Sequence, residues 1–135
     1  MKKVVFAVAI STIVLSILGV VMLYGAIRFL PGLMEEYFSP VFRPAGQDDW
    51  LFFAHPLILS IALKWFWERY KNIFTGSLVI RALEVALVYC IVALLPVFWI
   101  TFSAIDISLP LIGTWLVYGL VQSFAAGIVF AKLNP

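Results

Sequence analysis

The chain has 135 residues, of which 64% are hydrophobic and 12% are charged. Soluble domains carry about twice that charged fraction, so composition and long apolar runs place the chain among integral membrane proteins. The net charge of +2 is too small to indicate nucleic-acid binding, and a single cysteine, Cys90, excludes an intrachain disulfide and paired-cysteine zinc or redox motifs.

The first predicted membrane helix covers residues 4–30. It follows Lys2 and Lys3, as a signal peptide would, but its apolar run is far longer than the hydrophobic region of a signal peptide. We therefore expect a retained transmembrane helix, which Pro31 and Gly32 end.

Residues 31–49 form the one long connection. Pro40, Pro44 and Gly46 argue against a continuous helix there. Aromatic side chains interleave with charged ones, which is typical of a segment at the level of the lipid headgroups. One short amphipathic helix within this loop is an alternative, and a lid or a partner-binding loop is another.

The second predicted helix covers residues 50–70. Asp48 or Asp49 can cap its start, where a carboxylate suits the positive end of the helix dipole. Pro56 lies within it, and we expect a kink there, because a helix beginning at Pro56 is too short to cross a bilayer easily.

The third and fourth predicted helices cover residues 77–102 and 109–132. Pro96 lies near the far end of the third helix. Ser108 is the expected cap of the fourth, with Pro110 in its first turn.

Together these elements predict an all-α integral membrane protein, a four-transmembrane-helix bundle that forms a single polytopic domain over residues 1–135. Its one long, proline-containing loop joins helices 1 and 2. Basic residues favour the cytoplasmic ends of membrane helices, and five against two lie on the side of the N-terminus: Lys2, Lys3, Arg69, Lys71 and Lys132 against Arg28 and Arg43. We therefore expect both termini in the cytoplasm, the long loop outside, and a bacterial inner membrane as the host.

Four charged residues flank the short turn between helices 2 and 3: Lys64, Glu68, Arg81 and Glu84. A charge near the bilayer centre costs roughly 3 kcal/mol or more, so such residues usually pair or line a cavity. If the two helices form a hairpin, Lys64 meets Glu84 and Glu68 meets Arg81 at similar depths. This intramembrane charge network has two interpretations. It either stabilises the pairing of helices 2 and 3, or it relays protons or ions, with Glu84 as the residue that titrates.

His55 is the only histidine. Alone it cannot supply two axial ligands to a haem within a monomer, and no cluster of metal-ligating residues accompanies it. We therefore predict no metal, no cofactor and no catalytic residue, and interpret His55 as an interfacial polar residue and a candidate pH-sensitive site. An enzyme or haem subunit that uses His55 is the remaining alternative.

Helix 4 carries a small-residue stripe, Gly119, Ser123 and Gly127, spaced four residues apart. Such a stripe lets another helix approach closely, so we predict a helix-packing face, either internal or between subunits. Thr114, Tyr118 and Gln122 run beside it and can hydrogen-bond across a helix interface.

These patterns favour a small membrane protein that acts as a helix-packing accessory, scaffold or oligomer-forming subunit without catalysis of its own. Its expected partners are the lipid bilayer and either a second copy or another membrane protein, with no nucleic acid. The alternative is a small proton- or ion-coupled transporter that uses the charged cluster of helices 2 and 3, with a solute that the sequence does not identify.

Overall fold

The computed structural model describes residues 2–44 and 46–135. Over these residues the chain is helical, with no β-strand. Four helices are long and apolar enough to cross a membrane: α1 (Lys2–Phe29), α3 (Trp50–Tyr70), the composite helix Leu78–Ala104, and α6 (Leu109–Leu133). The prediction of an all-α protein with four long apolar helices is confirmed at this level, and each helix begins and ends within two residues of its predicted bounds.

The composite helix has three parts, namely α4 (Leu78–Tyr89), a π-helical turn (Cys90–Leu94) and α5 (Leu95–Ala104). The π-helical turn lies directly before Pro96, whose missing N–H and bulky ring interrupt the regular hydrogen-bond ladder. The sequence predicts Pro96 within this helix, but not the wider turn before it. Pro56, by contrast, lies inside α3 as predicted.

Serine side chains cap two helix starts. Ser108 Oγ accepts a hydrogen bond from the Leu111 N–H at 3.2 Å, as predicted, and Ser77 Oγ accepts one from the Ile80 N–H at 3.4 Å. The predicted aspartate cap of α3 is wrong. Asp49 has helical backbone angles, which do not suit a side-chain cap, and its carboxylate accepts from the Gly46 N–H instead.

The connection between α1 and α3 contains a short helix, α2 (Pro31–Glu35), followed by a 3₁₀ turn (Glu36–Phe38). The alternative of one short helix in this loop is therefore the observed one. Pro31 occupies the first turn of α2, a position where its fixed φ and missing N–H carry no cost.

The other three long helices pack around α6. It contacts α1, α4 and, less extensively, α3, while α1 also packs along α3. Although α3 and α4 are consecutive and joined by a short turn, their backbones make at most a marginal contact. The main core lies where α1, α3, α4 and α6 meet and includes Leu15, Leu63, Trp67, Val85 and Phe130.

Candidate functional site

Lys64, on α3, is the most buried charged side chain of the described residues, with 1% of its surface exposed. Its Nζ lies 2.6 Å from Oε1 of Glu68, one turn along the same helix, and 5.3 Å from the ring centroid of Phe130 on α6. The approach of Nζ to Oε1 is too oblique for a well-formed hydrogen bond. Lys64 is thus held by a close ion pair and an aromatic face.

The end of α6 completes this cluster. The Asn134 side-chain amide donates to Oε1 of Glu68, and the Asn134 carbonyl accepts from Nε1 of Trp67 at 2.8 Å. Lys71 Nζ lies 3.9 Å from the other Glu68 oxygen. The carboxylate of Glu68 is one-third exposed at the end of the bundle, so it joins the buried ammonium of Lys64 to the more polar surface.

Arg81 and Glu84, on α4, form a separate group. The Arg81 guanidinium lies over the Trp67 ring, with Cζ 4.8 Å from the ring centroid. Both residues are half-buried, and both hold a buried atom, Nε of Arg81 and Oε2 of Glu84, without a hydrogen-bond partner among the described residues. Neither residue takes part in an ion pair within that part of the chain.

The two predicted cross-helix pairs, Lys64 with Glu84 and Glu68 with Arg81, are therefore wrong for the described chain. Their prediction assumed that α3 and α4 pack along their whole length because a short turn joins them. Instead α4 packs on α6, and Lys64 is enclosed by its own helix and by Phe130. The four charges divide into an ion pair on α3 and, on α4, a cation and an acid without an ion-pair partner among the residues described.

The small-residue stripe explains why α4 packs on α6. Gly119, Ser123 and Gly127 are all buried. A Cβ at Gly127 would lie 2.9 Å from the Cα of Ala82, and one at Gly119 would lie 2.8 Å from the side chain of Leu94. The stripe is thus an internal packing face that brings the backbones of α6 and α4 together.

Three further buried polar side chains lie in the interior. Ser60 on α3 donates to Oγ of Ser11 on α1 at 3.0 Å, which joins these two helices. Gln122, on α6, is 1% exposed, and neither of its amide atoms has a hydrogen-bond partner among the described residues. Thr114, beside it in the sequence pattern, bonds back to the carbonyl of Leu111 within its own helix.

His55 lies on the exposed surface of α3, with its ring stacked near Tyr118 of α6 at a centroid distance of 6.5 Å. The Tyr118 hydroxyl in turn occupies the space beside Gly19 of α1. No group of three or more metal-ligating side chains is found in the described chain.

The loop between α1 and α3 is docked on the start of α6, a contact that the sequence analysis missed. Glu36 accepts hydrogen bonds from the N–H and the Oγ–H of Ser108, at 3.1 and 2.6 Å. Trp115 Nε1 donates to the Tyr37 hydroxyl at 2.5 Å. Partial burial, together with the nearby Glu36 charge, raises the pKa of Tyr37 above its ordinary value, against the opposing effect of the Trp115 hydrogen bond.

Two of these missed residues had detectable signals. Asn134 follows the last predicted turn of helix 4, and the predicted topology brings that turn to the same end as Glu68. Glu36 lies in the loop between α1 and α3, so only its acidic character in a loop at the same end as Ser108 pointed towards it. Neither signal singles out a partner, because many polar residues share each end of a bundle.

The described surface carries shallow apolar depressions on α1, lined by residues 14–21 and by Ala125 of α6. Their lining is almost entirely aliphatic, which suits lipid tails or another apolar helix.

Comparison of the chain with protein-family models, with curated proteins and with solved structures gave no match.

Proposed function

We propose that this chain is an integral membrane protein that acts by helix–helix association, as an accessory, scaffold or oligomer-forming subunit without catalysis of its own. The observation that carries the proposal is the unpaired charge on α4: Arg81 and Glu84 lie in an apolar helix without an ion-pair partner in the described chain. Charges at membrane depth are costly and are usually paired, so a partner helix is the expected source of the missing groups.

Four other polar residues support association over solute passage, although the buried amide of Gln122 has no hydrogen-bond partner among the described residues. Ser11 and Ser60, like Lys64 and Glu68, are already used in contacts within or between helices of the bundle. The depressions described above are shallow, apolar and on the outside. A surface of this kind suits contact with lipid and with other helices.

Native mass spectrometry after extraction in mild detergent tests this function. We expect the chain to be recovered in a stable assembly, either with further copies or with another membrane protein. A strictly monomeric chain without a partner, measured across several detergents, would refute the proposal.

The environment of one carboxylate oxygen, on Glu84, supports a second candidate function, that of a small proton- or ion-coupled transporter. Oε2 of Glu84 is buried without a hydrogen-bond partner among the described residues, and an acid within a membrane helix is a candidate for ion or proton coupling. Glu84→Gln should then abolish proton flux in proteoliposomes, while Glu35→Gln, in the exposed loop, should leave it unchanged. A Glu84→Gln variant that mainly loses thermal stability favours the structural role.

We place the protein, within this proposal, in a bacterial inner membrane with both termini in the cytoplasm. The contact of Asn134 with Trp67 and Glu68 supports the arrangement, because it joins the end of α6 to the end of α3. The basic residues Lys2, Lys3, Arg69, Lys71 and Lys132 then share the cytoplasmic side.

A further inference from the structure

A continuous outward face runs along α4 and into the π-helical turn. We define the α4 seam as Ile80, Glu84, Leu87 and Ile91, whose successive spacings of four, three and four residues match the seam of a coiled coil. The three apolar members are 50%, 49% and 63% exposed, so about half or more of each side chain is open to a partner. Glu84 interrupts this apolar seam with an acid.

The charges on this face complement each other. Arg81 lies three residues before Glu84, on the flank of the seam, and the two side chains do not form an ion pair within the chain. Each carries one buried atom without a hydrogen-bond partner in the described residues. Both residues are only half-buried, so the same side of α4 carries a partly exposed cation and a partly exposed anion, and such a surface is complementary to a second copy of itself.

Membrane topology determines how two such faces can meet. Every copy inserts with the same orientation, so a two-fold axis along the bilayer normal sets the two α4 helices parallel and equal residue numbers at equal depth. Arg81 and Glu84 differ in depth by roughly 4.5 Å, a distance that an arginine side chain spans. Each arginine can then reach the glutamate of the other copy.

We propose that two copies of this chain associate through the α4 seam, with Arg81 of each copy paired with Glu84 of the partner subunit. Two reciprocal ion pairs neutralise Arg81 and Glu84, which have no ion-pair partner in the described part of the chain, and the apolar seam residues pack around them. A polar residue at one seam position also sets the register of the two helices. This proposal rests on the proposed association function and names the second copy as its partner.

Disulfide crosslinking in native membranes tests the interface without changing a charge. In a Cys90→Ala background, Leu87→Cys should form a covalent dimer on mild oxidation. The matched control is Ile13→Cys on α1, which is apolar and similarly exposed, at 55% against 49%. We expect several-fold more dimer from Leu87→Cys, and equal, low yields at the two positions would overturn the proposal.

Charge exchange tests the reciprocal pairing. Arg81→Glu alone makes both seam charges negative and Glu84→Arg alone makes both positive, so neither variant should form the dimer with itself. Co-expressed with different tags, the two variants should co-purify, because each charge then meets its opposite. If the mixed pair associates no better than either variant alone, the reciprocal ion pairs are wrong.

Arg81 also contacts Trp67, so these exchanges can disturb folding. Glu84→Gln in the Leu87→Cys, Cys90→Ala background is the milder variant, and we expect several-fold less crosslinked dimer from it. An unchanged yield would overturn the role of Glu84. Native mass separates the two proposals: an assembly without a Leu87 crosslink refutes the α4 seam alone, whereas a partnerless monomer refutes association itself.

Discussion

The side-chain ammonium group of Lys64 is almost wholly enclosed by the bundle, and the carboxylate of Glu68 is its nearby counter-ion. Removing one member of such a pair costs more than removing both, because the remaining buried charge has no compensation. The two members differ, however. Glu68 is one-third exposed and is also held by Asn134 and Lys71, so it tolerates the loss of its partner better than Lys64 does.

This asymmetry gives a prediction for stability in detergent. Glu68→Gln should lower the free energy of unfolding by roughly 1–3 kcal/mol, since it leaves a buried ammonium without its counter-ion. Lys64→Met keeps a straight, apolar chain in the same space and should change stability by less than about 1 kcal/mol.

Thermal unfolding of both single variants and of the double variant measures the difference. We expect the Lys64→Met, Glu68→Gln double variant to recover most of the stability lost in Glu68→Gln. Equal losses in the two single variants would contradict the role assigned to the pair.

At the scale of elements, the fit between α4 and α6 decides the architecture. Gly127 meets backbone atoms of Ala82, which cannot move without displacing α4, whereas Gly119 meets the mobile end of the Leu94 side chain. Gly113, on the same helix, has nothing within 4 Å of an added Cβ. These three glycines form a graded series on one helix.

Alanine substitutions along this series should have different effects. Gly127→Ala should destabilise by about 1–3 kcal/mol through overpacking against the α4 backbone. Gly113→Ala should stabilise by up to about 1 kcal/mol, because alanine is the better helix former and meets no neighbour. The change in stability caused by Gly119→Ala should lie between those of the other two variants. Apparent melting temperatures in one detergent provide the ranking, and a Gly127→Ala variant as stable as Gly113→Ala would contradict this packing.

The short turn between α3 and α4 led to a wrong prediction of how these two helices pack. Connection length suggested a tight hairpin and hence the Lys64–Glu84 and Glu68–Arg81 pairs. The small residues of α6 offer α4 a closer contact than the bulky, aromatic face of α3, where Trp67 fills the space. The two helices meet chiefly through Arg81 on Trp67, near the turn.

At the scale of the whole molecule, the two ends of the bundle differ in character. One end holds most of the basic residues and the Asn134 cluster, whereas the other holds the loop docked through Glu36 on Ser108 and through Tyr37 on Trp115. An excess of basic residues on one side favours the cytoplasm for that side. In the proposed orientation the docked loop faces away from the cytoplasm.

Labelling of introduced cysteines checks this orientation. In a Cys90→Ala background, Gln47→Cys in the loop should react with a membrane-impermeant maleimide on intact cells, because its residue is exposed on the outer side. Thr75→Cys, in the exposed turn between α3 and α4, should react only after permeabilisation. The reverse pattern would invert the proposed topology.

The sequence by itself determined the four long apolar helices, the Ser108 cap, Pro56 within α3 and the small-residue stripe of α6. These features follow from local composition and spacing, which act within one helix or its first turn. Which helices pack together, the contact of Lys64 with Phe130, and the contact of Glu36 with Ser108 became clear only from the tertiary structure. Such contacts depend on the fit between side chains far apart in the chain, and a fit like that of Gly127 against Ala82 is not encoded in either segment alone.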